Sequence, residues 1–133
     1  MSKLIDKILI EAEISNERLP DLKQFVDGFT IIVNEYQNKG IEIDIRLKQY
    51  HSVELNLIRV PKEFRGKGLA SEFLNKLTSL ADKYKIIITL SPSASFGANV
   101  NKLKIFYKRF GFRMNTGNKA DHRFSDSMIR EPK

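Results

Sequence analysis

The residues best arranged for chemistry are Arg65-Gly66-Lys67-Gly68, followed at once by Leu69-Ala70. Before them runs Leu57-Ile58-Arg59-Val60, an apolar stretch that Pro61 interrupts. After them, Leu69, Ala70, Phe73, Leu74, Leu77, Leu80, Ala81 and Tyr84 recur at three- and four-residue spacing, which predicts a helix of about four turns. A basic, glycine-rich turn between a strand and a helix can hold an anion. The first backbone N–H groups of a helix have no intrahelical partner, and the helix dipole is positive at the same end. Gly66 and Gly68 have no side chain to keep an anion off the backbone, and Arg65 and Lys67 add charge. An ordinary strand-to-helix turn has the same composition, so the turn alone leaves both readings open. A P-loop is excluded, because no Lys stands before Ser or Thr in its Gly-x-x-x-x-Gly-Lys frame. A dinucleotide fingerprint is excluded too, because Gly66-x-Gly68 is followed by Ser71 where the third glycine belongs.

Several elements must position this turn. Residues 41–48 alternate, with Ile41, Ile43, Ile45 and Leu47 on one face and Glu42, Asp44, Arg46 and Lys48 on the other. After a polar link at Gln49–Ser52, Val53, Leu55 and Leu57 alternate with Glu54 and Asn56. The two runs predict a β-hairpin whose second strand leads into the turn. Beyond the long helix, Lys85-Ile86-Ile87-Ile88-Thr89-Leu90 has the β-branched, apolar character of a buried central strand. Strand, helix, strand in that order makes these two strands parallel, joined by a right-handed crossover. Ligands of open α/β sheets bind beyond the carboxyl ends of such strands, where this turn falls.

Upstream, Leu22, Phe25, Val26, Phe29, Ile32, Val33 and Tyr36 mark one face of a helix beginning at Asp21 and ended by Lys39-Gly40. Gly28 inside it is a mild cost with no evident purpose. Residues 7–14 are read as a strand, though Leu4, Ile5, Ile8, Leu9 and Ala12 also fit a helical face. Downstream, Ser91–Asn101 is a loop by composition, in which Phe96-Gly97 is either a lip or a simple turn. Leu103, Phe106, Tyr107 and Phe110 predict a short helix stopped by Gly111. Strands are expected at 112–114 and 127–129, with a polar turn from Asn115 to Asp121 between them.

The chain has 133 residues, enough for one domain spanning 1–133. It has no cysteine, which removes disulfides, thiolate nucleophiles and cysteine-based zinc sites. Asp6 and Lys7 interrupt the place of a signal peptide's apolar run, and no stretch is long enough to span a membrane. The expectation is a cytoplasmic protein without a membrane partner. Its formal net charge of +7 is uneven. Residues 1–98 carry 14 basic and 13 acidic side chains, whereas residues 99–133 carry 9 and 3. A basic C-terminal quarter points to an anionic partner: cofactor phosphates, an acidic substrate or nucleic acid. A solvated basic face is the plainer reading.

Arg65-x-x-Gly68-x-Ala70, entered from a strand ending at Val60, resembles the acetyl-coenzyme A signature of the GCN5-related N-acetyltransferases (GNAT). Phe106-Tyr107-Lys108-Arg109-Phe110-Gly111-Phe112 resembles the second motif of the same family, and the two motifs stand in the right order. The likeness covers Val53 to Phe112. It departs at the Asn that often opens the second motif, whose place Asn99 and Asn101 flank, and residues 1–40 and 113–133 match nothing specific.

The resemblance implies a mixed α/β (α+β), mainly antiparallel sheet with a central parallel strand pair splayed around acetyl-coenzyme A, and helices on both faces. It implies coenzyme contacts along Leu57, Ile58, Arg59 and Val60 and around Arg65, Gly66, Lys67, Gly68, Leu69 and Ala70, with no metal. Tyr107 would protonate the departing thiolate, a task a phenol can perform. Glu54, eleven residues before Arg65, would take the proton of the attacking ammonium. A water chain, His51 or, less suitably, His122 are the rivals, His51 by its pKa. Without cysteine the transfer would be direct, in a ternary complex. The basic tail would repel polyamines and favour a neutral or anionic amine, or an amine on nucleic acid. The competing reading is a non-catalytic acyl-coenzyme A-binding or basic nucleic-acid-binding module, although few aromatics interleave the basic residues. Oligomeric state is left open.

Overall fold

In the computed structural model, residues 19–93 and 99–133 are described. The strand expected over 7–14 and the Phe96-Gly97 segment lie outside them. Helix α1 spans Leu19–Asn38, two residues earlier than the Asp21 start read from the pattern. Pro20 falls in its first turn, where no helical N–H bond is lost. The anticipated face is the buried one: Leu22, Phe25, Val26, Phe29 and Tyr36 are at most 4% exposed. Gly28 acquires a reason here. A Cβ there would stand 2.9 Å from Leu80 Cδ2 on the next helix, so the glycine allows the two helices to approach closely. Gly40 ends α1 with φ +100, and a Cβ there would stand 2.5 Å from the Phe64 ring. The end of α1 thereby seats the residue just before Arg65.

The hairpin forms as expected from β1 (Glu42–Lys48) and β2 (Ser52–Arg59). Tyr50 and His51 turn the chain with φ of 64° and 53°, the left-handed pair whose twist matches that of a hairpin. One detail departs from simple alternation. Asp44 faces Leu57 while Ile45 faces Leu55, which leaves Asn56 as an extra residue on β2. The bulge reverses the side on which later residues point. Ile58 joins Val53 and Leu55 on the face shared with Ile43, Ile45 and Leu47, and Leu57 moves to the face of Glu54.

A short 3-10 turn, Lys62–Phe64, precedes helix α2 (Leu69–Tyr84), which buries Phe73, Leu74, Leu77 and Ala81. Then follow β3 (Ile87–Leu90), α3 (Val100–Lys108), β4 (Arg113–Met114) and β5 (Met128–Arg130). The strands make one sheet in the order β1-β2-β3-β5-β4, with β2 and β3 parallel and the other pairs antiparallel. The last strand therefore enters beside β3 instead of adding at an edge. Arg130 on β5 sends its guanidinium to Asp82 near the end of α2, at 2.8 and 2.9 Å, and its Nε to the Phe110 carbonyl beyond α3 at 2.6 Å. No helix among the described residues is long and apolar enough to cross a membrane.

Candidate active site

The parallel pair holds together only over Ser52↔Ile87, Val53↔Ile88 and Glu54↔Thr89. Past these residues β2 continues to Arg59 while β3 ends at Leu90. The bulge at Asn56 lies where the two strands part, and the edge of β2 beyond it has no ladder partner on β3. A cleft of about 510 Å³ opens there. It is lined by Leu55–Arg59 of β2 with Val60 just past it, Leu90 at the end of β3 with residues 91–93 after it, Leu103, Phe106 and Tyr107 from α3, and Arg65 and Ala70 at the turn. Leu57, Ile58, Arg59, Val60, Arg65, Ala70 and Tyr107 are thus brought together around one cleft. Gly66, Lys67, Gly68 and Leu69 do not line the cleft; they form the turn that joins Arg65 to Ala70.

That turn has the geometry of an anion cradle. Gly66 and Gly68 adopt φ of +81 and +74, and a Cβ on either would meet no atom within 4 Å. Backbone conformation alone requires glycine here, and the side where a Cβ would project is open to a ligand. The first helical bond of α2 runs from Glu72 N to Gly68 O, so the amides of Leu69, Ala70 and Ser71 precede the helix's own ladder. Arg65 donates from Nε to the Val60 carbonyl at 2.9 Å, which fixes the turn against the end of the strand region. Arg59 pairs with Glu42 across the hairpin at 2.6 Å. These features fit a diphosphate-bearing coenzyme at the turn and an extended, amide-bearing arm along β2.

Tyr107 is 6% exposed, its ring packed against Phe106 and Phe112 at centroid distances of 5.4 and 5.7 Å. Burial pushes its phenol up to about 12. The hydroxyl therefore stays protonated across the working pH range, though as a weaker acid than a solvated phenol. Asn99, one of the two asparagines flanking the family's usual position, caps α3 by accepting from Lys102 N at 3.1 Å.

Glu54 precedes Leu55 at the base of the cleft and lies on the sheet face opposite Val53 and Leu55. Lys48 Nζ is 3.5 Å from its Oε1. The Asn56 amide, turned to satisfy both neighbours, donates to the same oxygen at 2.7 Å and accepts from Arg46 Nε at 3.1 Å. His51 lies in the hairpin turn just before β2, about 20 Å along the strand from Leu57 at roughly 3.3 Å per residue. His122 lies among exposed residues of the segment between β4 and β5.

One residue escaped the reading of the sequence. Asp126, just before β5, shares a hydrogen bond with Glu54, and its carboxyl is pushed up to about 6. Burial is the main cause, followed by the hydrogen bond and charge of Glu54, with the Thr89 hydroxyl opposing. The signal in the chain was an acid two residues before the last strand in a basic segment.

The Acetyltransferase (GNAT) domain family matches residues 27–114. No curated protein matches the sequence. Among solved structures, Arabidopsis thaliana Naa50 in complex with the bisubstrate analogue CoA-Ac-MVNAL matches at 21% identity, with a TM-score of 0.43. That match covers 68% of this chain, which spans 60% of the Naa50 chain. With the splayed pair, the glycine turn and the second motif in one matched stretch of the sequence, this chain belongs to the GNAT acetyltransferase family.

Proposed function

We propose that the chain moves an acetyl group from acetyl-coenzyme A directly to a primary amine within a ternary complex. The observation that carries this reading is the cleft where β2 and β3 part, walled by Leu57–Val60 and Tyr107 and closed at one end by Arg65 and Ala70. Bound acetyl-coenzyme A supplies an electrophilic thioester carbonyl. The amides from Gly66 to Ala70, with Arg65 and Lys67, hold the pyrophosphate. The backbone over Leu57–Val60, where β2 has parted from β3, pairs with the pantetheine arm, and an N–H of that stretch meets charge developing on the thioester oxygen. Glu54 accepts the proton of the attacking ammonium, and Tyr107 gives one to the departing sulfur.

Charge narrows the acceptor. Of the basic side chains after residue 98, Arg113 pairs with Glu131, Arg123 with Asp121 and Arg130 with Asp82. Of the other six, Lys119 and Lys133 lie further on in the chain, whereas Lys102, Lys104, Lys108 and Arg109 lie along α3 and just past its end, the helix that gives the cleft Leu103, Phe106 and Tyr107. A polybasic acceptor would be repelled there, which favours a neutral or anionic amine.

Acetyl-coenzyme A is expected to raise the melting temperature, since a ligand that binds only the native state stabilises it by about 2.7 kcal/mol at a hundredfold excess over Kd. Gly68→Val should remove that response in a protein that still unfolds cooperatively, because it strains φ +74 and fills the approach to the amides. An undiminished shift in the variant would sink the coenzyme reading. A shift with a short DNA duplex and none with the coenzyme would favour the nucleic-acid-binding module instead.

A further inference from the structure

The glycine turn is open on the side where a Cβ would project, yet both of its shoulders are tied to one place, the end of α1. Ahead of the turn, the Phe64 ring lies so close to Gly40 that a Cβ there would stand 2.5, 2.8 and 3.0 Å from three ring carbons. Behind it, the Tyr36 hydroxyl donates to Glu72 Oε1 at 3.3 Å, in the first turn of α2. The seat itself is fixed. Tyr36 is fully buried, Gly40 N donates to the Gln37 carbonyl at 3.0 Å, and Ile41 N donates to the Tyr36 carbonyl at 3.1 Å. Phe64 also meets the turn's own cation, for Lys67 Nζ lies over its ring at 5.9 Å from the centroid, within reach of the ring's negative face. Packing does not account for the ring. The 3-10 turn that carries it has no buried residue, and the ring is not among those packed on the hydrophobic core.

We propose that Phe64 is a positioning residue for the coenzyme: seated on Gly40, it holds Arg65, Lys67 and the amides from Gly66 to Ala70 in the arrangement that receives the pyrophosphate. This deepens the reading of the turn as the coenzyme's diphosphate site and rests on it. Arg65 follows Phe64 directly, and its Nε is fixed to the Val60 carbonyl at 2.9 Å, so the ring and that bond together set where the turn begins. Five residues on, the Tyr36–Glu72 bond sets where it ends. Gly66 and Gly68 between them would otherwise give the backbone wide freedom. A turn already held in its bound shape loses less of that freedom when the ligand arrives, and affinity rises accordingly. The effect is confined to the diphosphate end of the ligand, because Phe64 is not among the residues that line the cleft along β2.

The test compares wild type, Phe64→Ala, Gly40→Ala and the double variant by calorimetric Kd for acetyl-coenzyme A. NMR titration with S-acetylpantetheine, which keeps the thioester arm but has no diphosphate, supplies the contrast. Phe64→Ala should weaken acetyl-coenzyme A about tenfold, leave acetylpantetheine unchanged and hardly lower the melting temperature of the free protein. Gly40→Ala displaces the ring and should weaken the coenzyme to a similar extent. The double variant should bind no worse than the weaker single one, as for two changes that act through one contact. Should Gly40→Ala fail to fold, the contrast between the two ligands in Phe64→Ala decides alone. Equal coenzyme binding in wild type and Phe64→Ala overturns the inference and leaves the coenzyme reading standing. Losses that add in the double variant, or that fall equally on acetylpantetheine, overturn it too, since Phe64 would then act apart from Gly40 or on the fold as a whole. A wild type that binds no acetyl-coenzyme A overturns the coenzyme reading itself, and with it this inference.

Discussion

Replacing Tyr107 with Phe is expected to slow turnover by about 10²–10⁴-fold, the usual contribution of a positioned general acid, while coenzyme binding is kept. The ring is anchored against Phe106 and Phe112 and is almost fully buried, so Phe preserves the packing and removes only the hydroxyl. The same burial makes a second expectation. Because the phenol is raised to about 12, its protonated, active form persists through alkaline pH. No loss of rate assignable to Tyr107 should appear below about pH 11, whereas a solvated phenol would begin to ionise a unit or two earlier. Rates and thermal shifts with acetyl-coenzyme A, compared for the two proteins under conditions where chemistry is limiting, check both points. Equal rates would make Tyr107 a packing residue of α3.

The second large effect concerns stability. Arg130→Met should destabilise the fold by about 3 kcal/mol, the lower end for breaking a buried ion pair. The lower end applies because the Arg130 side chain is 5% exposed but that of Asp82 is 29%. Met keeps the apolar stem but removes the guanidinium from both Asp82 oxygens and from the Phe110 carbonyl, leaving Asp82 Oδ1 only its bond from Lys133 N at 2.9 Å. Those contacts join β5 to the ends of α2 and α3, the two helices that carry the turn and Tyr107, so the site should loosen with the fold. The pH dependence follows from the sign of the shift. The Arg130 guanidinium holds the Asp82 carboxyl below its ordinary value of 3.8. The stabilisation is therefore complete above about pH 4 and is lost as pH falls through the lowered folded value. Denaturant melts at neutral and acidic pH should show the gap between wild type and variant narrowing in acid. A gap that is constant with pH would mean the loss is one of packing, not of charge.

The parts of the molecule legible in the sequence are those set by local pattern. The faces of α1 and α2, the hairpin, the strand at Ile87–Leu90 and the glycine turn all follow from periodicity or from backbone freedom at named residues. The parts that were not legible depend on distant chain. Gly28 looked purposeless until Leu80 of α2 was seen beside it. The bulge at Asn56 leaves no composition signal, yet it turns Ile58 inward and Leu57 outward where the strands part. The central entry of β5 is fixed by the buried Arg130–Asp82 pair, 48 residues apart in the chain. Asp126 lies in a segment without hydrophobic periodicity, held from afar by Asn115, whose Nδ2 donates to the Asp126 carbonyl at 3.2 Å. His51 lies in the hairpin turn before β2, at the opposite end of the strand from Leu57–Arg59.

Direct acetyl transfer to an amine is checked by counting free coenzyme A thiol against acetylated acceptor. Purified protein, isotope-labelled acetyl-coenzyme A and fractions of a dialysed cell extract suffice. Direct transfer should give thiol release only in fractions that contain an acceptor, one labelled acetyl group on an amine nitrogen for each thiol, and no change in the mass of the protein. Acetyl-coenzyme A that stabilises the protein, with no acceptor-dependent thiol release in any fraction, would contradict it and leave a coenzyme-binding module.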